Sequence, residues 1–186
     1  MGQKDTYDEA LIVEQLHHQE TVNAAFGKVI EHYSQPLYWQ IRRMVIDHDD
    51  ANDVLQNTFI KAWSNIGSFR GDAKFSTWLY KIAVNESITF INKKKVQNNI
   101  SLDDDSSFVT SNLEADRYFD GDEAQLKLQK AIATLPDKQR LVFNMRYYDE
   151  MKYEDMSEIL GTSVGALKAS YHHAVKKIES FFGEED

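Results

Sequence analysis

An acid-rich stretch divides this chain into two parts. Residues 98–123 hold eight carboxylates against one arginine, and few of their apolar side chains recur at a regular spacing. A segment of that composition buries too little apolar surface to offset the entropy of ordering it. We therefore predict a flexible acidic linker over 98–123, with separate domains over 8–97 and 124–183.

Helical periodicity dominates both parts. The 186 residues include two prolines and eight glycines, and apolar residues recur every three or four positions rather than every second one. This spacing is typical of amphipathic helices. The predicted fold class is therefore all-α, with two small helical domains joined by the linker.

The first part should begin with three helices. The spacing predicts helices over about 9–27 and 29–46, with a boundary or kink at Pro36 because proline lacks the N–H that a helix interior needs. The sequence Asp-His-Asp-Asp over 47–50 is a turn and N-cap signal. It predicts that the third helix covers 51–64.

The stretch from Asp53 to Asn85 reads as a helix, a loop bracketed by two glycines and a second helix. The first should end near Gly67, and the second should begin near Ser76 or Thr77. Rings, cations and an amide gather around this loop, namely Phe75, Trp78, Tyr80, Arg70, Lys74, Lys81 and Asn85. Such a group suits the capture of unstacked bases. A cluster of aromatic residues at helical spacing is more often core, so the pattern alone leaves both interpretations open.

The second part contains two short helices joined by a turn that begins with glycine, Gly161-Thr162-Ser163. This is the signature of a helix-turn-helix motif. The predicted helices cover 125–134, a segment from Pro136 onward, 153–160 and 164–181.

Charge is sorted between the two helices of this motif. The first carries Glu154, Asp155 and Glu158, whereas the second has no acid before Glu179. The second helix is therefore the one expected in the major groove of DNA. The candidate contacts along it are Thr162, Ser163, Gly165, Ala166, Lys168, Ser170, His172, His173 and Lys176. Similar helical hairpins occur in proteins that do not bind DNA, so that interpretation also stays open.

The chain as a whole is acidic, with a formal net charge of −9. This total argues against nucleic-acid binding, because phosphate contacts need lysine and arginine. Basic residues are nevertheless concentrated in the run Lys93–Lys95 and in the last helix, whereas acidic residues are concentrated elsewhere. An acidic protein with local basic faces favours DNA binding that depends on a larger partner. The lysine run alone is equally well explained as a solvated helix end.

Several classes of protein are disfavoured. The chain has no cysteine, and a histidine pair such as His17-His18 is adjacent and does not share a helix face, so no metal and no cofactor are predicted. No long apolar run and no secretory signal are visible, so we expect a cytoplasmic protein. His48-Asp49 is similar to the dyad of helical metal phosphohydrolases, but its further ligands cannot be placed. An enzyme with a small-molecule substrate is therefore not expected.

The string DVLQNTFIKAW…FRGDAKFSTWLYKIAVN closely resembles the second conserved region of bacterial sigma factors, in the extracytoplasmic-function (ECF) class of the sigma-seventy family. The helix-turn-helix part is similar to the fourth region of the same family. The resemblance implies a non-catalytic transcription initiation factor that joins bacterial RNA polymerase core. The domain over 8–97 would dock on the core and melt the minus-ten promoter element, and the domain over 124–183 would read the minus-thirty-five element. The acidic linker would thread the RNA exit path.

The resemblance also assigns residues. Those matching the helix that docks on the largest polymerase subunit are Asp53, Gln56 and Asn57. Those matching the minus-ten DNA contacts are Phe69, Arg70, Lys74, Trp78, Lys81 and Asn85. Within this set Phe69, Lys74 and Asn85 match the residues that capture a flipped base. Arg70, Lys81 and the lysine run would meet phosphates. Trp78 and Tyr80 fit a scaffold slightly better than a stacking platform.

The chain departs from the family pattern at three positions. Asn57 stands where glutamate is more common, Ser170 where arginine is common, and Ala174 where a basic residue is frequent. The last two differences leave fewer cations for DNA and leave the promoter specificity open.

The resemblance implies partners as well as contacts. The ECF class is commonly held inactive by a membrane-bound anti-sigma factor, which implies such a partner at the inner membrane. The alternative function is a stand-alone helix-turn-helix regulator that binds duplex DNA without polymerase. Such a protein would have no need for the stretch from Asp53 to Asn85. Whether the two domains lie together or apart is open, because the linker permits both.

Overall fold

The computed structural model describes residues 7–97 and 123–183, and every regular element in those ranges is helical. The predicted all-α class is confirmed. The predicted linker lies outside the described residues except for Glu123, which is the first residue of a helix.

The first module, residues 7–97, contains four α-helices and one short 3₁₀ turn. They are α1 (Glu9–Leu16), α2 (Val22–Val45), α3 (His48–Asn65), the 3₁₀ turn (Ile66–Ser68) and α4 (Phe75–Gln97). The second module, residues 123–183, contains α5 (Glu123–Ala133), α6 (Asp137–Tyr147), α7 (Tyr153–Leu160) and α8 (Val164–Gly183).

Aspartate side chains begin two of these helices. The Asp8 carboxylate accepts the Leu11 N–H at 3.2 Å. The Asp47 carboxylate accepts the N–H groups of Asp49 and Asp50 at 2.9 and 3.0 Å. These bonds satisfy donors that a helix leaves unpaired in its first turn, so the predicted cap before α3 is confirmed.

The predicted boundary between the first two helices is wrong. The chain breaks at residues 17–21, where the Thr21 hydroxyl donates to the Gln15 carbonyl at 2.7 Å, and Gly27 lies inside α2. The helix also continues through Pro36. Tyr33 and Leu37, which lie close to Pro36 in the helix, are buried at 5% and 0% exposure. This packing outweighs the loss of the backbone hydrogen bond that proline cannot make.

Each module has an apolar core. That of the first is built from all four helices and includes Ile12, Leu16, Val29, Leu37, Ile41, Val54, Phe59, Phe75 and Leu79. That of the second joins α5, α6 and α8 through Ala131, Ile132, Leu135, Phe143, Ala174 and Ile178. Burying an aliphatic or aromatic side chain of this size contributes about 1.5–3 kcal/mol, so these cores supply most of the driving force for folding.

A third apolar cluster joins the two modules. Met44 of α2 and Val84 of α4 pack with five side chains of the second module, which are Val142, Met145, Met156, Ile159 and Leu167. The contact between α2 and α4 on one side and α6 and α7 on the other is called the seam below. None of the described helices is both long and apolar enough to cross a bilayer.

Candidate nucleic-acid interface

The predicted polymerase contacts form one exposed stripe on α3. Asp53, Gln56 and Asn57 are all exposed, and Ile60 continues the stripe one turn further with 57% exposure. Positions three and four apart lie on the same face of a helix, so these four side chains make up the α3 patch. The sequence analysis missed Ile60, although an isoleucine outside the apolar stripe of an amphipathic helix was a visible signal.

The loop after α3 folds inward at its first residue. Phe69 is buried at 6% exposure, and its ring centroid lies 5.3 Å from those of Phe75 and Trp78. Gly71 adopts φ +76°, a left-handed conformation that favours glycine. Phe69 and Phe75 thus belong to the core, while Trp78 and Tyr80 are half-buried at its edge.

The remaining residues of the predicted minus-ten set share one surface. Lys74, Trp78, Lys81 and Asn85 follow one another at intervals of four, three and four residues, and we call this row the α4 stripe. Its two lysines and its asparagine are exposed, as is Arg70 in the preceding loop. The stripe therefore combines ammonium groups, an amide and a half-buried indole ring.

A neighbouring carboxylate is engaged away from this surface. Glu86 follows Asn85 directly, and its carboxylate accepts from the Lys61 ammonium of α3 at 2.5 Å. This ion pair ties α3 to α4 and partly neutralises the acid next to the α4 stripe. The stripe therefore keeps its cationic character.

The lysine run at the end of α4 is partly used inside the molecule. Lys93 is exposed, Lys94 pairs with Asp50 of α3, and Lys95 lies 2.7 Å from the Asp137 carboxylate of α6. Two of the three lysines in this run are thus engaged with carboxylates of the chain in this arrangement.

The helix-turn-helix motif of the second module has the predicted turn. Gly161 closes α7 in the left-handed conformation with φ +62°, and its N–H donates to the Ser157 carbonyl at 2.9 Å. The Ser163 hydroxyl accepts the Ala166 N–H at 3.3 Å and so caps α8. A left-handed glycine followed by a serine cap makes the chain reverse within three residues.

One face of α8 is open to solvent. Of the predicted contacts, Thr162, Ser163, Gly165, Ala166, Lys168, His172, His173 and Lys176 are exposed, and Ser170 is half-buried. Leu167, Ala174 and Ile178 lie on the opposite face and are buried. Because Ala174 points into the core, the lack of a basic residue there removes no contact from the open face.

A basic groove beside α8 escaped the sequence analysis. It is open to solvent and lined by Thr134, Gln139, His173, Lys176, Lys177, Ser180 and Phe181. Lys177 follows a predicted contact and was detectable, whereas Thr134 and Gln139 come from the α5–α6 junction, some forty residues earlier in the printed sequence. No local pattern connects residues so far apart. Across the described ranges, no group of three or more histidine, aspartate or glutamate side chains is placed to hold a metal ion.

These exposed faces lie on two helical modules, one of which carries a helix-turn-helix, and comparison with known families gives the class of protein. The family described as Sigma-70 region 2 matches residues 29–96, and the family described as Sigma-70, region 4 matches residues 125–178.

Curated relatives agree over most of the chain. It is 35% identical to the ECF RNA polymerase sigma factor SigW of Bacillus subtilis over 156 residues. The aligned region covers 80% of this chain and 83% of the relative. It is 29% identical to the ECF RNA polymerase sigma-E factor of Haemophilus influenzae over 170 residues. The aligned region covers 87% of this chain and 89% of the relative. The chain belongs to the ECF class of the sigma-70 family, whose members are initiation factors that bind RNA polymerase and are not enzymes.

Solved structures share the fold. The sigma factor RpoE from Bartonella quintana, in complex with the anti-sigma factor NepR, matches with a TM-score of 0.67 and 20% identity, over 85% of this chain and 96% of that one. CnrH in complex with the cytosolic domain of CnrY matches with a TM-score of 0.68 and 20% identity, over 96% of this chain and 99% of that one. The family assignment confirms the predicted resemblance and favours an initiation factor over a stand-alone regulator.

Proposed function

We propose that the first module captures bases of the minus-ten element while the second module reads the minus-thirty-five element. The observation that carries this proposal is the α4 stripe, in which two exposed lysines and Asn85 stand beside the half-buried Trp78. An amide can pair with the edge of a flipped base, and lysines can hold the phosphates on either side.

Strand opening by this surface is capture rather than chemistry. Extruding a base costs a few kcal/mol in lost stacking and pairing. Stacking on an aromatic side chain returns about 1–3 kcal/mol per base. Trp78 is partly exposed, whereas Phe69 is buried and must leave the core before it can stack on a base. In this arrangement, Lys74 and Asn85 are therefore the residues that would hold a flipped base.

Docking on the polymerase is assigned to the α3 patch. Its polar members, Asp53, Gln56 and Asn57, flank the exposed Ile60. An apolar side chain framed by hydrogen-bonding groups is a common arrangement at protein interfaces. The patch lies on the opposite side of α3 from the buried Val54 and Thr58, so docking requires no change in the core.

Reading of the minus-thirty-five element is assigned to the open face of α8. Thr162, Ser163 and Ala166 lie at its N-terminus, where backbone N–H groups and the helix dipole favour phosphate. His173, Lys176 and Lys177 further along α8 line the basic groove, which would track the DNA backbone.

An anti-sigma factor is the further partner we propose. Of the solved proteins with this fold described above, RpoE is in complex with the anti-sigma factor NepR, and CnrH is in complex with the cytosolic domain of CnrY. A partner of that kind at the inner membrane would restrain a protein that otherwise works in the cytoplasm.

Run-off transcription with purified core polymerase on a matched promoter tests the proposal. A promoter-specific transcript is expected only when the chain is added. Asn85→Ala should reduce it strongly, while Asn23→Ala, which removes an exposed asparagine of α2, should leave it unchanged. Absence of transcript together with absence of co-elution with the core would refute the proposal. Tight duplex binding by the chain alone would favour the stand-alone regulator.

A further inference from the structure

A cavity of about 270 Å³ lies between α4 of the first module and α6 of the second. Its apolar walls come from Met44 of α2, Ile88 and Ile91 of α4 and Leu141 of α6. Because a water molecule takes up about 30 Å³ in the liquid, the cavity has room for about nine atoms of that size. Ligand cavities in proteins are mostly apolar and carry a few placed polar groups. This cavity is therefore of a size to take a small organic molecule.

Asn144 supplies a buried hydrogen-bond acceptor to the lining of this cavity. The residue is 3% exposed, and its amide nitrogen donates to the Arg43 carbonyl at 3.3 Å. Its Oδ1 atom is buried and has no hydrogen-bond partner among the described residues. A buried acceptor that lacks a donor is unfavourable. A ligand that brings a hydroxyl or an N–H group to this atom therefore gains affinity.

The start of α6 makes one end of the cavity cationic. Lys138 lines the cavity and is exposed to solvent. The neighbouring Asp137 carboxylate is already paired with Arg140 at 2.9 Å and with Lys95 at 2.7 Å. Cations thus outnumber carboxylates among these four residues. An ammonium group in such a place favours an anionic group of a ligand, because charge-assisted hydrogen bonds are the stronger ones.

These groups follow one another along α6. Lys138, Leu141 and Asn144 are three residues apart, and all three line the cavity. At a rise of 1.5 Å per residue, Lys138 and Asn144 are about 9 Å apart along the helix axis. Ile88 and Ile91 have the same spacing on the facing wall. The cavity therefore presents a cation, an apolar stretch and a hydrogen-bond acceptor in that order.

We propose that this cavity binds a small amphipathic acid that carries a hydrogen-bond donor at the end opposite its carboxylate. The carboxylate pairs with the Lys138 ammonium, the apolar chain packs on Leu141 and Ile91, and the donor reaches Asn144 Oδ1. A medium-chain ω-hydroxy acid is the simplest compound of this class. The site shares no residue with the α3 patch, the α4 stripe or the open face of α8, so it does not rest on the proposed function.

Calorimetric titration of the full chain with ω-hydroxyoctanoate, without polymerase or DNA, tests the site. One saturable site is expected, with a dissociation constant of about 1 mM or lower for a molecule of this size. Octanoate lacks the terminal hydroxyl and should bind about tenfold more weakly, because Asn144 Oδ1 then stays unpaired. The octanediol with a hydroxyl at each end lacks the carboxylate and should bind about threefold more weakly, because an exposed ion pair is worth little.

Substitutions assign the two polar contacts. Lys138→Gln should bind ω-hydroxyoctanoate and the diol equally. Its matched control is Lys152→Gln, which removes an exposed lysine just before α7 and should keep the preference for the acid. Asn144→Leu keeps the size of the side chain and should bind ω-hydroxyoctanoate no better than octanoate. Ile91→Trp fills the cavity from α4 and should abolish binding of all three compounds.

Four results would overturn the site. They are no saturable binding, equal affinity of the unaltered chain for ω-hydroxyoctanoate and octanoate, a preference for the acid that survives Lys138→Gln, and undiminished binding by a folded Ile91→Trp chain. Circular dichroism checks that each variant keeps its helices. Lys138→Gln changes an exposed position and retains a test if Asn144→Leu or Ile91→Trp unfolds. Since neither polymerase nor promoter is present, the site and the proposed function can each fail while the other stands.

Discussion

The carboxyl group of Asp149 lies in an environment that alters its ionisation. Burial raises its pKa to about 6, while the Arg43 charge and hydrogen bond act in the opposite direction. Tyr80 of α4 also faces this group, and burial raises the pKa of its hydroxyl to about 12, so it stays neutral at physiological pH. The seam therefore holds an ionisable group whose protonation state changes close to neutral pH.

This shift predicts a pH dependence of stability. Because the pKa of Asp149 is higher in the folded chain than in the unfolded one, its contribution is complete below about pH 4 and is lost as the pH rises through about 6. We expect the free energy of unfolding to fall between pH 5 and pH 7 by about 1 kcal/mol from this residue. Urea titrations of the unaltered chain and of Asp149→Asn at both pH values give this difference. Asp72→Asn, in an exposed loop, is the control and should keep the full pH dependence; if Asp149→Asn keeps it too, another group is responsible.

The structural role of Phe69 can be separated experimentally from its proposed role in DNA binding. Since the ring is buried against Phe75 and Trp78, Phe69→Ala should cost about 3–5 kcal/mol of stability. Phe69→Leu keeps most of the apolar volume and should cost about 1.5 kcal/mol or less. Chemical unfolding measures both values, and run-off transcription shows which loss follows stability. Loss of transcription by a Phe69→Leu chain that remains stable would show that the ring leaves the core to contact DNA.

At the scale of the elements, α8 and the groove beside it form the surface that we propose for DNA contact by the second module. The open face carries hydroxyls and lysines, whereas its opposite face is buried through Leu167, Ala174 and Ile178. The groove adds Lys177 to the DNA contacts predicted from the sequence. Contacts of this kind position a protein on phosphates and make its affinity sensitive to salt.

The groove predicts a change in the salt dependence of promoter binding. Removing one phosphate contact lowers the slope of log affinity against log salt by about one. Lys177→Gln should therefore reduce the slope for the polymerase complex on its promoter by about one, with a similar loss for all minus-thirty-five sequences. Lys28→Gln, exposed on α2 of the first module, is the control and should leave the slope unchanged. An unchanged slope for Lys177→Gln would place the groove away from the DNA.

Local signals explain which elements were predictable from the sequence. The cap at Asp47 and the turn at Gly161 act through bonds to residues two to four positions away, and both the cap and the turn were predicted. The break at residues 17–21 contains neither glycine nor proline, so the sequence pattern predicted one continuous helix across it. The burial of Phe69 depends on how the loop packs on α4, and the seam joins Arg43 to a residue 106 positions away. Long-range contacts of this kind leave no periodic trace in a single sequence.

At the scale of the whole molecule, the seam makes one folding unit of two modules. The apolar cluster that includes Val84 and Met145 continues from the first core into the second. A continuous core of this kind favours unfolding in one cooperative transition.

Breaking the cluster should separate the two unfolding steps. Val84 is buried at 1% exposure, so Val84→Asp places an unpaired charge inside the seam. We expect scanning calorimetry to show one transition for the unaltered chain and two for this variant. Ile60→Asp, at an exposed position of α3, is the control and should keep a single transition. Two transitions in the unaltered chain would contradict this account of the seam.

The seam also makes heat resistance and transcription activity change in opposite directions. Substitutions that fill or strengthen the contact around Met44, Val84 and Met145 should raise the melting temperature, because they join the two cores more firmly. The same substitutions would hinder any motion of one module relative to the other. Stabilising changes often reduce activity where a protein must move. A library screened only for heat resistance should therefore accumulate weaker initiators, and one screened for transcription should accumulate chains that melt earlier.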